Sequence, residues 1–323
     1  MKEIILATDL GGTNLRMAAV DRDGKILYRT KRETPQTERA NEIIYAIVEA
    51  AEECRRAVEF QGIVSGFAVA VPGIVNVAKG IVFKAPNVPS LDGFRISATL
   101  KDELNLPCFL ENDANAATVG ENWLGASKNI KNSILVTLGT GVGGGIIIDG
   151  KVLRGVDGTA GELGHICVEP FGVPCGCGSR GCLEQYSSAT AIVRLTRELE
   201  NQYSNSVLRE KSRLSALEIY QAGKNGDELA LEVFRQQGFY LGIALAGLIN
   251  ILNPEVIVIG GGAAAGWDLF IPPTIEQIRQ RAYQEPAERA KIVPAKCGDD
   301  AGILVPKPQA FFPFTTRLPA VVP

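Results

Sequence analysis

Residues 4–29, IILATDLGGTNLRMAAVDRDGKILYR, and residues 134–153, ILVTLGTGVGGGIIIDGKVL, carry the same parts in the same order. Each reads as a strand, a glycine turn, a second strand, a DGK turn and a third strand. A DG pair between apolar runs of strand length is a hairpin signal. The repetition reads as an internal duplication, with one copy in each half of the chain.

Outward from these copies, strands and helices alternate. TERANEIIYAIVEAAEECRRAV (37–58) has helical apolar spacing, and IVSGFAVAVPG (63–73) follows as a buried strand. QQGFYLGIALAGLINILN (236–253) is an apolar helix leading into the strand EVIVIGG (255–261). A chain of 323 residues exceeds the size at which single cores divide. The pattern predicts a two-lobed α/β protein, with ligands in a cleft where the glycine turns face each other. The expected parts are a small N-terminal lobe at 1–114, a larger lobe at 115–304 and a tail at 305–323.

Bulk properties narrow the partner. A net charge of −3, without any run of basic residues, excludes a nucleic-acid surface on electrostatic grounds. The start, MKEIILATDLGG, is too short in apolar residues for a signal peptide, and no stretch approaches a membrane span. A cytoplasmic protein with a small-molecule ligand is the expectation.

Glycine turns let backbone amides approach phosphate, because no Cβ intervenes and positive φ is accessible. Both Asp9–Asn14 and Leu138–Gly145 qualify, and Asp9 could hold magnesium through water. A purely structural reading, glycines that tighten hairpins, weakens when two such turns stand in equivalent places. Gly139, Gly141 and Gly144 also fit the dinucleotide fingerprint, but a strand follows where that motif needs a helix. Gly260, Gly262 and Ala265 do follow a strand, which keeps a nucleotide pocket open there; no acidic residue about 20 positions on supports NAD.

PCFLENDANAATVGENW (107–123) runs from a strand into a helix with Glu111, Asn112 and Asp113 at the junction. A carboxylate there could act as general base in phosphoryl transfer, or could simply cap the helix. Further on, HICVEPFGVPCGCGSRGC (165–182) holds the one histidine and four of the seven cysteines. His165, Cys175, Cys177 and Cys182 make a closed tetrahedral zinc set; the alternative is a disulfide and a free thiol, which a reducing compartment disfavours. Cys54, Cys108, Cys167 and Cys297 are expected to be ordinary small core residues.

DLGGTN, PGIVN, APN, ENDANAA, LGTGVGGG, GELGH, CGCGSRGCLE and GDDAGIL together resemble the ROK sugar kinases of the hexokinase and actin-like ATPase superfamily, with its ribonuclease H-like, duplicated βββαβα units. The resemblance implies that Asp113 is the catalytic base and that Gly73, Asn87, Asn112, Glu162, His165 and Glu184 contact the sugar. It implies ATP binding by Asp9, Gly11, Gly12, Thr13, Asn14, Thr140, Gly141, Gly143, Gly144, Gly145, Gly261 and Gly262, with magnesium accompanying the nucleotide, structural zinc, and a homodimer. Glucokinase activity is the leading implication, followed by another hexose kinase or a non-catalytic sugar sensor. One departure is the segment after Leu304, whose five prolines exclude a continuous terminal helix.

Overall fold

A computed structural model describes residues 2–304, so the proline-rich tail at 305–323 lies outside the described residues. The chain divides into two compact units, each with its own hydrophobic core.

The first unit opens with β1 (Lys2–Leu10), β2 (Asn14–Asp21) and β3 (Ile26–Glu33), then α1 (Ala40–Ala57) and β4 (Gly62–Val71). A small hairpin, β5 (Ile74–Asn76) and β6 (Ile81–Lys84), precedes α2 (Ile96–Leu104), β7 (Cys108–Asn112) and α3 (Asp113–Trp123). The sheet order is β3-β2-β1-β4-β7. β1, β2 and β3 pair antiparallel; β4 and β7 continue the sheet parallel to β1. α1 covers the sheet through Ile43, Ile44, Ile47, Ala50, Ala51 and Cys54, the helical spacing the sequence displays.

The second unit repeats the scheme with β8 (Ser133–Leu138), β9 (Val142–Ile148) and β10 (Lys151–Val152). After a long loop come α4 (Glu184–Ser187), α5 (Ala189–Leu199), α6 (Ala216–Lys224) and α7 (Glu228–Leu252). β11 (Val256–Gly260), α8 (Trp267–Arg281), α9 (Gln284–Arg289) and β12 (Lys291–Pro294) complete it. Its sheet order, β10-β9-β8-β11-β12, matches the first sheet position for position. Asp149 and Gly150 both have positive φ, 51° and 75°, as a two-residue hairpin with the right twist requires.

The units are not continuous in sequence. The first reaches Leu124 and also takes Arg154–Ala160 and the residues from Asp300. The division expected after residue 114 thus falls inside α3, which stays with the sheet that launches it. Gly158 lies so close to β5 that a Cβ there would sit 2.6 Å from the Val75 carbonyl oxygen. The last described residues pack likewise: a Cβ on Gly120 of α3 would lie 2.3 Å from the Ala301 carbonyl oxygen.

Candidate active site

In parallel sheets ligands bind beyond the carboxyl ends of the strands. In the first unit that edge carries the turn after β1, Gly73 after β4, and Asn112 with Asp113 at the end of β7. Asn112 caps α3: its Oδ1 accepts from the Asn115 amide at 3.1 Å, while its Nδ2 donates to the Gly73 carbonyl at 2.9 Å. The helix cap is therefore Asn112, and Asp113 is the first residue of the helix, with its Oδ1 accepting from the Ala114 amide at 2.9 Å. Burial raises the Asp113 pKa above its ordinary 3.8, against the lowering effect of that amide.

Beside it, Glu111 is buried and paired with Arg154, whose Nη2 and Nε approach Oε2 at 2.7 and 3.0 Å. The other oxygen, Oε1, accepts from the Asn112 amide at 3.1 Å and the Asn115 side chain at 3.3 Å. A single buried carboxylate thus ties the end of β7 and the first turn of α3 to a residue 43 positions later in the chain. Asp9 faces Arg16 across the β1–β2 ladder, 3.9 Å away.

The turn between β1 and β2 is held from outside. The Gly11 carbonyl accepts from Thr34 Oγ1 at 2.7 Å, the Gly12 carbonyl from Gln36 Nε2 at 2.8 Å and the Thr13 carbonyl from the Thr34 amide at 2.9 Å. The Gly11 amide closes the turn on the Asn14 carbonyl at 2.8 Å. Gly12 packs on Asn87, where a Cβ would come within 2.9 Å of that residue's own Cβ.

In the second unit the corresponding turn is shorter than its glycines suggest. Gly143, Gly144 and Gly145 belong to β9, leaving Gly139, Thr140 and Gly141 as the turn. A Cβ on Gly144 would meet the Leu163 side chain at 2.4 Å, so this glycine serves packing within the unit. Neither turn uses positive φ at Gly11, Gly12, Gly139 or Gly141; close approach is what Gly11, Gly12 and Gly141 need, whereas a Cβ on Gly139 would meet its nearest atom only at 3.9 Å. At Gly141 the close neighbour is Glu184, whose Oε2 accepts from the Val142 amide at 3.0 Å. The Gly139 carbonyl accepts from the Ala189 amide and the Thr140 carbonyl from Thr190 Oγ1, both at 2.8 Å. Gly261, with φ 87°, lies against the Leu138 carbonyl oxygen at the ends of β11 and β8, and Gly262 begins a 3-10 turn.

His165, Cys175, Cys177 and Cys182 bring their donor atoms within 4.8 Å of one another. His165 Nδ1 lies 3.7 Å from Cys175 Sγ, and the sulfurs of Cys177 and Cys182 are also 3.7 Å apart. A tetrahedron with metal–sulfur bonds of about 2.3 Å has sulfur–sulfur edges of about 3.8 Å, so the donor set fits zinc. Burial first, then the neighbouring thiols, push Cys182 up to about 12, while the Ser179 amide lowers Cys177. Glu162 precedes the short turn carrying His165, whose amide donates to the Glu162 carbonyl at 3.1 Å. Of the four cysteines expected in the core, Cys54 is buried, Cys108 and Cys297 are half-buried and Cys167 is exposed, bridging backbone to Cys182. Burial pushes the Cys54 and Cys108 thiols up to about 12, the behaviour of packing residues.

Arg154, Thr34 and Thr190 carry no motif and escape sequence reasoning. Among the described residues, no helix is long and apolar enough to cross a membrane.

The ROK family profile matches residues 5–304. The glucokinase of Halalkalibacterium halodurans is 36% identical over 305 residues, covering 93% of this chain and 92% of its own. A ROK family glucokinase from Streptomyces griseus, solved in complex with glucose and AMPPNP, aligns with a TM-score of 0.78 at 32% identity, over 93% of this chain and 97% of that one. A ROK family transcriptional regulator, a homologue of the E. coli MLC protein, gives a TM-score of 0.86 at 31% identity, over 94% of this chain and 76% of its own.

Proposed function

The chain belongs to the ROK family, with its two-unit, actin-like α/β fold, and from that premise we propose that it is an ATP-dependent hexokinase that phosphorylates the 6-hydroxyl of glucose. The observation that carries this reading is the division of roles at the start of α3: Asn112 caps the helix, so the adjoining buried carboxylate of Asp113, steadied at Oδ1 by the Ala114 amide, is not taken up as the cap and serves proton transfer.

Asp113 accepts the proton of the sugar hydroxyl as that oxygen bonds to the γ-phosphorus of ATP and the bond to the ADP oxygen breaks. The family resemblance assigns sugar contacts to Gly73, Asn87 and Asn112 in the first unit and, separately, to Glu162, His165 and Glu184 in the second. The turns Asp9–Asn14 and Thr140–Gly141 present amides to the phosphates, and Gly261 and Gly262 serve the adenosine. Magnesium bound with ATP supplies positive charge to the transferring phosphoryl group. In the second unit, His165 Nδ1 and the thiolates of Cys175, Cys177 and Cys182 would hold zinc, and four protein ligands would give that ion a structural role. That arrangement leaves His165 Nε2 for the sugar.

A coupled ADP-release assay across glucose, fructose, allose, N-acetylmannosamine and N-acetylglucosamine, with ATP or polyphosphate as donor, tests the proposal. Glucose with ATP is expected to give the highest kcat/KM. Asp113→Ala should lower kcat by about 100-fold or more while sugar binding stays measurable, as loss of a general base does. Likeness to the regulator favours one alternative, a sugar sensor. Sugar binding by the wild-type chain with no ADP release would establish that alternative.

A further inference from the structure

We infer that Thr34 and Thr190 are positioning residues for the phosphate donor: each holds a glycine turn by its carbonyls so that the turn's amides face the nucleotide. The inference rests on the kinase reading above and adds two residues outside the glycine motifs. Its basis is a repetition of the same device in both units.

A peptide group is planar and trans, so fixing the carbonyl of one residue fixes the amide of the next in the opposite direction. In the first unit the carbonyls of Gly11 and Gly12 are fixed by Thr34 Oγ1 and Gln36 Nε2. The amides thereby aimed outward are those of Gly12 and Thr13. In the second unit the carbonyls of Gly139 and Thr140 are fixed by the Ala189 amide and Thr190 Oγ1. There the outward amides belong to Thr140 and Gly141. Among the described residues, nothing accepts a hydrogen bond from any of these four amides. A flipped peptide in either turn would point a carbonyl oxygen, with its partial negative charge, where a phosphate must sit.

The two threonines come from unrelated places, 23 residues after Gly11 in one unit and 50 residues after Thr140 in the other. Thr34 is 3% exposed and follows β3; Thr190 is exposed in the first turn of α5. In each unit a threonine hydroxyl reaches a turn carbonyl at close to 2.8 Å. In the second unit Glu184 adds a third hold through the Val142 amide, but its assigned sugar contact makes it the poorer probe.

Calorimetric titration of AMPPNP with magnesium into the full chain, together with steady-state kinetics, tests the inference on Thr34→Val, Thr190→Val and the pair combined. Loss of one neutral hydrogen bond should weaken AMPPNP binding by about threefold to tenfold in each single variant. The turns share no partner, so the two effects should multiply in the double variant. The KM for ATP should rise in step while the KM for sugar stays near the wild-type value, and Thr34→Ser and Thr190→Ser, which keep the hydroxyl, should restore nucleotide affinity. Wild-type affinity for AMPPNP in Thr190→Val, an exposed position that folding tolerates, would overturn the inference with the kinase reading intact. A wild-type chain that binds no AMPPNP and releases no ADP would instead end the kinase reading, and this inference with it.

Discussion

Asp113 sets its proposed chemistry against the stability of the fold. Its pKa is raised by burial above the ordinary 3.8, so the folded chain binds its proton more tightly than the unfolded chain does. Stability from this group is fully present in acid, below 3.8, and is lost as pH climbs through the raised value. Above that value the ionised carboxylate is a standing cost. Asp113→Asn should therefore abolish turnover yet unfold at a temperature equal to or above that of the wild type at neutral pH, with the advantage shrinking in acid. Thermal scans from pH 3 to 8 check this. Melting below the wild type at neutral pH would mean that the carboxylate's hydrogen bonds outweigh its desolvation. In the wild type kcat should fall in acid as the base is protonated.

At the scale of elements, the start of α3 depends on a strand end and a distant arginine acting together. Arg154→Ala would leave Glu111 buried without its counter-charge, which costs about 3–5 kcal/mol for a fully buried pair. Arg154 is 18% exposed, so the lower part of that range is expected, read as a drop in the urea midpoint. Arg154→Lys should recover only part, because an ammonium cannot reproduce the planar pair of guanidinium N–H groups, Nε and Nη2, that converge on Oε2. Neither residue advertises the pair in sequence, since an arginine 43 positions from a glutamate has no periodicity to betray it. The strands, α1, the hairpins and the β7–α3 junction were legible because apolar spacing and DG turns express local physics. The role of Gly144 in β9 was not, because a glycine chosen to clear Leu163 looks in sequence like one chosen for a turn. Cys167 misled for a similar reason: its apolar neighbours suggest a core, whereas the backbone bridge to Cys182 turns it outward.

Over the whole molecule, zinc is expected at one ion per chain by metal analysis, and Cys177→Ala should lose it. Because the same loop carries His165 and leads to Glu184, sugar affinity should fall with the metal, by about tenfold or more. Loss of metal with unchanged glucose affinity in calorimetry would separate the two roles. The matching sheet orders suggest two self-contained halves, but the path of the chain denies this. It leaves the first unit after Leu124, returns for Arg154–Ala160, leaves again and comes back at Asp300. The returning segments carry the partner of Glu111, the Asp300 carboxylate 3.2 Å from Arg29, and Gly302 against Asp9. On the ribosome, then, the N-terminal unit is the first to emerge and the last to be finished. Until residue 154 has been synthesised its buried carboxylate has no counter-ion, and a chain stalled near Leu124 presents a surface that only later translation can close.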